Sequence, residues 1–191
     1  STRDGNSKTI LHYASNSGNL DLVKYLIGLD KIDPIVKDED SKSILHYACE
    51  SENHELIKYL ISLKIFNINN KDIEGKTILH YLCESGNLEM IQYVHSLGEA
   101  HFNVRDKDGK TLLHYAVESE NLELVKFLVS LDLIDILAKD KDENTLLHVA
   151  TDDSSNLPIL QYLVSLNAFD INAKNSSDDT PFLCAVNDDK A

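Results

Sequence analysis

Short apolar stripes at helical spacing recur along this chain, separated by polar turns. In the stretch Leu122-Glu-Leu-Val-Lys-Phe-Leu-Val-Ser-Leu131, the positions Leu122, Leu124, Val125, Leu128 and Val129 fall on one side of a helix. Just upstream, Leu112 to Ser119 reads as a shorter helix. Thr111 stands before it as an N-cap and Glu120-Asn121 breaks it from the next. The pattern therefore predicts a pair of short helices joined by a tight turn.

That pair repeats. Thr9-Ile-Leu-His-Tyr-Ala14, Ser43-Ile-Leu-His-Tyr-Ala48, Thr77-Ile-Leu-His-Tyr-Leu82, Thr111-Leu-Leu-His-Tyr-Ala116, Thr145-Leu-Leu-His-Val-Ala150 and Thr180-Pro-Phe-Leu-Cys-Ala185 begin 34, 34, 34, 34 and 35 residues apart. The extra residue of the last interval falls in Asp152-Asp-Ser-Ser155. Ahead of each second helix stands Asn19, Asn53, Asn87, Asn121 or Asn156, a good N-cap. Asp21, Glu55, Glu89 and Glu123 follow two residues on, where a carboxylate complements the helix dipole. Pro158 takes that place in the fifth copy, which a first turn tolerates. Polar stretches with Gly75 and Gly109 close each unit and suit tight turns. One such pair cannot bury its apolar face alone, so the units must stack.

At these residues the chain resembles the ankyrin-repeat family, as in Asp108-Gly-Lys-Thr-Leu-Leu-His-Tyr-Ala116 and Asp170-Ile-Asn-Ala-Lys174. The resemblance covers essentially the whole chain. It implies an all-α solenoid of paired helices with hairpin-like connecting loops. The expected division is a single domain over 1–191, with repeats at about 1–38, 39–72, 73–106, 107–140 and 141–175 and a partial one at 176–191. Three departures stand out. The period carries an extra residue after the second helix, as in Leu63-Lys-Ile-Phe-Asn67. The family's Pro is kept only at Pro181. Glu52 and Glu120 replace the inter-helix Gly found at Gly18 and Gly86, which predicts looser turns in repeats two and four, because a left-handed conformation costs a non-Gly residue about 1 kcal/mol.

Composition narrows the function classes. Lys plus Arg is 18 against 32 for Asp plus Glu, a formal charge of -14. Nucleic-acid binding needs a basic stripe and an anionic membrane surface a polybasic one, so neither is expected. No apolar run reaches the roughly 20 residues of a membrane span. Three unclustered cysteines fit a reducing, cytoplasmic setting better than a disulfide framework. No metal or cofactor motif occurs, and no cofactor is expected.

Several residues imitate chemistry. The comb His12, His46, His80, His114 and His148 could suggest ligands, but helices stacked about 8–10 Å apart cannot share an ion that needs ligands near 2 Å. In the resembled family such a His bonds near the capping Thr and the neighbouring hairpin. Cys49 and Cys83 read as small buried hydrophobes. Tyr13, Tyr47, Tyr81 and Tyr115 form a column on the first helices, expected to pack with a solvated hydroxyl and to be the aromatic set nearest a partner. Repeat three departs most: Leu82 replaces Ala, and His95 replaces an aliphatic residue, read as a compensated core with a satisfied histidine, the alternative being a local specialisation or a weak stack.

The resemblance places partner binding on the hairpin tips and the exposed end of the first helix. Copy by copy this gives Lys42, Glu50, Ile73, Glu74, Lys76, Tyr81, Glu84, Lys107, Asp108, Lys110, Tyr115, Glu118, Asp142 and Asp152. Glu50, Glu84, Glu118 and Asp152 would form a carboxylate column suited to a protein partner with a basic surface, with Lys42, Lys76 and Lys110 beside it. Ile73, Tyr81 and Tyr115 would be its apolar anchors. The expected function is a non-catalytic interaction scaffold. The alternative is a regulatory or targeting segment of a larger enzyme or channel. The apolar first repeat and the short sixth one suggest a segment of something longer, unless the sixth copy with Asn187-Asp-Asp-Lys190 is itself a cap.

Overall fold

The structure is a computed structural model and describes residues 2–29, 31–151 and 156–187. Among these, eleven helices follow one another: α1 Ile10–Asn16, α2 Leu20–Ile27, α3 Ile44–Glu50, α4 His54–Ser62, α5 Ile78–Glu84, α6 Leu88–Ser96, α7 Leu112–Glu118, α8 Leu122–Ser130, α9 Leu146–Val149, α10 Leu157–Ser165 and α11 Pro181–Asn187. The only extended pairing among the described residues is an isolated antiparallel bridge between Arg105 and Thr111. The expected all-α architecture of helix pairs is what the chain adopts.

The chain divides into two compact units, Ser1–Ser85 with Glu89–Ala100, and Gly86–Leu88 with His101–Ala191. In the first, α1, α3 and α5 pack side by side, with α2 and α4 against their partners. In the second, α7, α9 and α11 pack in the same way, and α8 and α10 lie behind. The core of the first unit is drawn from Leu11, Val23, Leu45, Leu56, Leu60, Leu79 and Ile91, and that of the second from Leu113, Leu124, Leu128, Leu147 and Leu163, all fully buried. At about 25 cal/mol per Å² of apolar surface, these residues rather than helix propensity hold helices of seven to nine residues together.

The Thr and Ser caps of the first helices work as the sequence suggests, with one addition, whereas Asn156 heads α10 without a side-chain cap hydrogen bond. In α3, the Ser43 N–H donates to Nδ1 of His46 at 3.1 Å and the Ser43 hydroxyl meets the same nitrogen at 2.8 Å. The same pair of contacts joins Thr9 to His12, Thr77 to His80, Thr111 to His114 and Thr145 to His148. A backbone N–H can only donate, so Nδ1 is the acceptor and the ring proton sits on Nε2. In two copies that Nε2–H donates further along the chain, from His46 to the Asn70 carbonyl at 3.2 Å and from His148 to the Asp179 carbonyl at 3.1 Å. In these two copies the histidine ties the head of the first helix to a loop 24 or 31 residues further along the chain. Burial pushes the pKa of His46 down to about 4 and lowers those of His12 and His114.

The second helices show a parallel economy. Oδ1 of Asn53 accepts the Leu56 N–H at 3.0 Å, while its Nδ2 donates to the Gly18 carbonyl of the preceding repeat at 2.8 Å. Asn121 does the same with Leu124 and Gly86. A Cβ on Gly18 would stand 3.3 Å from Cβ of Asn53, so glycine there serves the neighbour as well as its own turn. Glu52 and Glu120 adopt positive φ of 57° and 59°, close to the 66° and 67° of Gly18 and Gly86. The turns of repeats two and four, expected to be looser, therefore share the backbone shape of the glycine turns, and in repeat two the hydrogen bonding differs. Asn19 N–H reaches the Ala14 carbonyl at 3.1 Å, whereas Asn53 N–H meets Ser51 Oγ at 3.4 Å.

The extra residue of the period also has a structural place. Each described second helix from α4 onward ends in a left-handed residue: Lys64, Gly98, Asp132 and Asn167, with φ between 53° and 68°. His95 is half-buried rather than a core residue, because its position lies at the margin of the helix face, where Val129 is also half-buried. Cys49 and Cys83 are fully buried free thiols, and burial raises their pKa values.

Candidate functional site

The hairpin tips are built on one aspartate each. At the tip ahead of α5, the Asp72 N–H bonds the Lys76 carbonyl at 3.0 Å and closes the turn at Gly75, whose φ is 77°. Oδ1 of Asp72 accepts the N–H groups of Glu74 and Lys76, both at 2.9 Å. Its Oδ2 accepts the Tyr81 hydroxyl at 2.5 Å. Asp38 and Tyr47 repeat this at 2.5 Å, Asp106 and Tyr115 at 2.6 Å, and Asp4 and Tyr13 form the corresponding bond. One carboxylate therefore shapes the tip and ties it to the first helix. Burial is the main cause raising the Tyr47 and Tyr81 pKa values, reinforced by the bonded aspartate.

This overturns part of the expected anchor set. Tyr81 and Tyr115 are 8% and 5% exposed, and their hydroxyls are taken up inside the protein. They are floor and strut, not solvated contact residues. Tyr13 alone of the column is open, at 54%. The signal was present in the sequence as an Asp nine residues before each Tyr: Asp4, Asp38, Asp72 and Asp106. Repeat five, where Val149 replaces Tyr, keeps the aspartate. Oδ2 of Asp140 there accepts Nδ2 of Asn144 at 3.1 Å instead.

The carboxylates of the expected column are also less free than the sequence implied. Lys42 Nζ donates to Glu50 at 2.6 Å, Lys76 to Glu84 at 3.0 Å and Lys110 to Glu118 at 2.5 Å. Each pair links a tip to the far end of the first helix, eight residues on. Lys42 lies 5.0 Å and Lys76 5.5 Å from the centroid of the Tyr81 ring. Burial works to lower the pKa of Lys110, but the Glu118 carboxylate outweighs it, so the ammonium titrates above its usual range. Asp152, the last member of the column, lies outside the described residues.

In the first unit, these parts enclose a depression of about 630 Å³. Lys42, Glu50, Ile73, Glu74, Lys76, Tyr81 and Glu84 all line it, together with Asp40, Glu52, Asp72, Cys49 and Ser85. The sequence marks Glu52 only as a turn residue, yet its side chain lines the depression. The tips on its rim are joined by a bond from the Ile73 N–H to the Asp40 carbonyl at 2.8 Å. Ile73 is 40% exposed, an apolar contact among charges. In the second unit, Lys107, Asp108 and Asp142 are exposed tip residues. The Asp108 carbonyl accepts the Lys141 N–H at 2.8 Å, and the Asp142 carbonyl accepts the Ser176 N–H at 2.8 Å. Lys110 and Glu118 pair with each other there, while Tyr115 is buried behind them.

The repeated pair of helices, the Thr–His caps and the hairpin tips decide the family, and a family model described as Ankyrin repeats (3 copies) matches residues 1–72, 62–140 and 94–175. The chain belongs to the ankyrin-repeat family. No curated protein matches it in sequence. Ankyrin repeats generally mediate protein–protein interaction and are typically non-catalytic. No helix among the described residues is long and apolar enough to cross a membrane. No group of three or more His, Cys, Asp or Glu among them is placed to hold a metal ion.

Proposed function

We propose that this ankyrin-repeat chain is a non-catalytic interaction scaffold, binding a protein partner with a basic surface along the hairpin tips and the exposed ends of the first helices. The observation that carries the reading is the depression between repeats two and three. Six carboxylates and two ammonium groups line it, with Ile73 on its rim. Its floor is fixed by Tyr81 and Asp72, so the surface is organised before a partner arrives and little ordering entropy remains to be lost on binding. Exposed ion pairs each contribute little, about 1 kcal/mol or less. Affinity therefore needs the apolar contact that Ile73 supplies in addition to charge. Acid–base catalysis would require a carboxylate held out of water with a shifted pKa. Glu50, Glu52, Glu74 and Glu84 are instead exposed.

The test is photo-cross-linking in a cell lysate. A benzoylphenylalanine replaces Ile73 in one variant and Tyr25, on the outer face of α2, in another. The reading expects discrete protein adducts from position 73 that are absent from position 25. Equal labelling from both positions, or none from position 73, overturns it.

A further inference from the structure

We propose that the depression of repeats two and three receives an extended partner segment through an arginine side chain, not a lysine. This deepens the interaction reading and rests on it. Charge complementarity sets the sign of the occupant: six carboxylates line the depression against two ammonium groups, in a chain of net charge -14. The internal lysines decide between the two basic side chains. Lys42 and Lys76 already fill the positions suited to a compact ammonium, each bonded to a glutamate and held against the Tyr81 ring. Their bonds engage Oε1 of Glu50 and Oε2 of Glu84, which leaves the other oxygen of each carboxylate to an incoming donor.

A second ammonium on those oxygens would bring a point charge beside one already there. A guanidinium spreads its charge over a plane and offers five N–H donors in a fork, so one group can bridge two carboxylates while sharing them with the lysines. Exposed Glu52 and Glu74 extend the set of acceptors. The three-carbon stem of an arginine would lie over Ile73, whose side chain is exposed beside the carboxylates.

The experiment titrates the full chain into fluorescein-labelled hexa-arginine, hexalysine and hexa-citrulline and reads fluorescence anisotropy at low salt. Hexa-arginine is expected to bind about tenfold more tightly than hexalysine, with no binding by the uncharged citrulline peptide. The variant Glu50→Gln/Glu84→Gln is expected to weaken hexa-arginine binding about tenfold. Glu52→Gln/Glu74→Gln, which leaves both lysine pairs intact, should weaken it as well. A control, Glu55→Gln/Glu123→Gln, removes the same charge from the second helices and should change affinity less than about twofold. Circular dichroism checks that each variant keeps its helices. Equal affinity for the arginine and lysine peptides, equal loss in the control variant, or absence of hexa-arginine binding overturns the inference. If that happens while position 73 still cross-links a protein, the scaffold reading stands without it. If both experiments fail, both readings fall.

Discussion

The buried histidines predict how acid should act on this fold. His46 is 1% exposed, and its Nδ1 accepts from Ser43 while its Nε2–H donates to Asn70. Protonation would put a hydrogen on Nδ1, facing the Ser43 N–H, and would leave a charge in the core. The folded-state pKa is accordingly about 4, against an ordinary value of 6.5. Below pH 6.5 the unfolded chain takes up a proton that the folded chain does not. Stability therefore falls as pH drops, by about 1.4 kcal/mol per pH unit for this one group, until the folded state titrates too. Between pH 6.5 and pH 4, His46 alone costs about 3 kcal/mol, of which about 2 kcal/mol is gone by pH 5. His12 and His114 shift in the same direction and add to the loss. Asp4 and Glu89 have lowered pKa values and weaken the fold only below the carboxylate range, so the window from 6.5 to about 4.5 belongs to the histidines.

Two assays check this together. Urea unfolding at pH 7.5 and pH 5 should show the loss in the native chain. It should show about 2 kcal/mol less of that loss in His46→Gln, which is weaker at neutral pH but has no proton to take up. Nitrogen NMR of the His46 ring should report the Nε2–H tautomer, unchanged down to pH 5. A ring midpoint near 6.5, a proton on Nδ1, or an undiminished pH dependence in His46→Gln would each refute the reasoning.

Three further outcomes follow from the packing. Tyr81→Phe leaves the buried Asp72 carboxylate without its hydroxyl donor and should cost about 1–3 kcal/mol in urea, whereas Tyr13→Phe, at the exposed Tyr13–Asp4 pair, should cost less than about 1 kcal/mol. Gly18→Ala strains a φ of 66° and crowds Asn53, so it should lose about 1–2 kcal/mol, and exchange of the Leu56 amide should quicken with it. Lys64→Gly and Asp132→Gly relieve left-handed residues and should each raise stability by up to about 1 kcal/mol, read as a higher urea midpoint without change in slope.

The fold was legible because its signals are redundant. The Thr/Ser–x–x–His cap, the Asn before each second helix and the apolar stripe each mark the same boundaries five times over, so an error at one copy is corrected by the others. The candidate interaction surface was legible only in outline, because side-chain pairing across eight or nine residues carries no helical period. The spacing from Lys42 to Glu50 or from Asp72 to Tyr81 joins a loop to a helix, and the turn between them sets which groups meet. The tyrosines accordingly looked like a solvated ladder when they are struts. Glu52 looked like a poor substitute for glycine when it also lines the depression. Asparagine caps were foreseen, but their second bond to the preceding repeat was not, since nothing local demands it.

These two kinds of bond have different consequences for binding. The buried set, Asp72 with its own tip and with Tyr81, fixes the tip backbone to the helix, and removing it exposes an unpaired charge in the core. The outer set, Lys42 with Glu50 and Lys76 with Glu84, is partly open to water and can be rearranged at little cost. On the proposed reading, a partner would exchange the lysine contacts for its own without disturbing the scaffold beneath. Substitutions in the outer set should alter affinity at constant stability, while those in the inner set should lower both. Glu84→Gln and Tyr81→Phe form the pair that separates the two layers. If Glu84→Gln destabilises the fold as much as Tyr81→Phe does, the layers are one network and the surface cannot be retuned independently of the core.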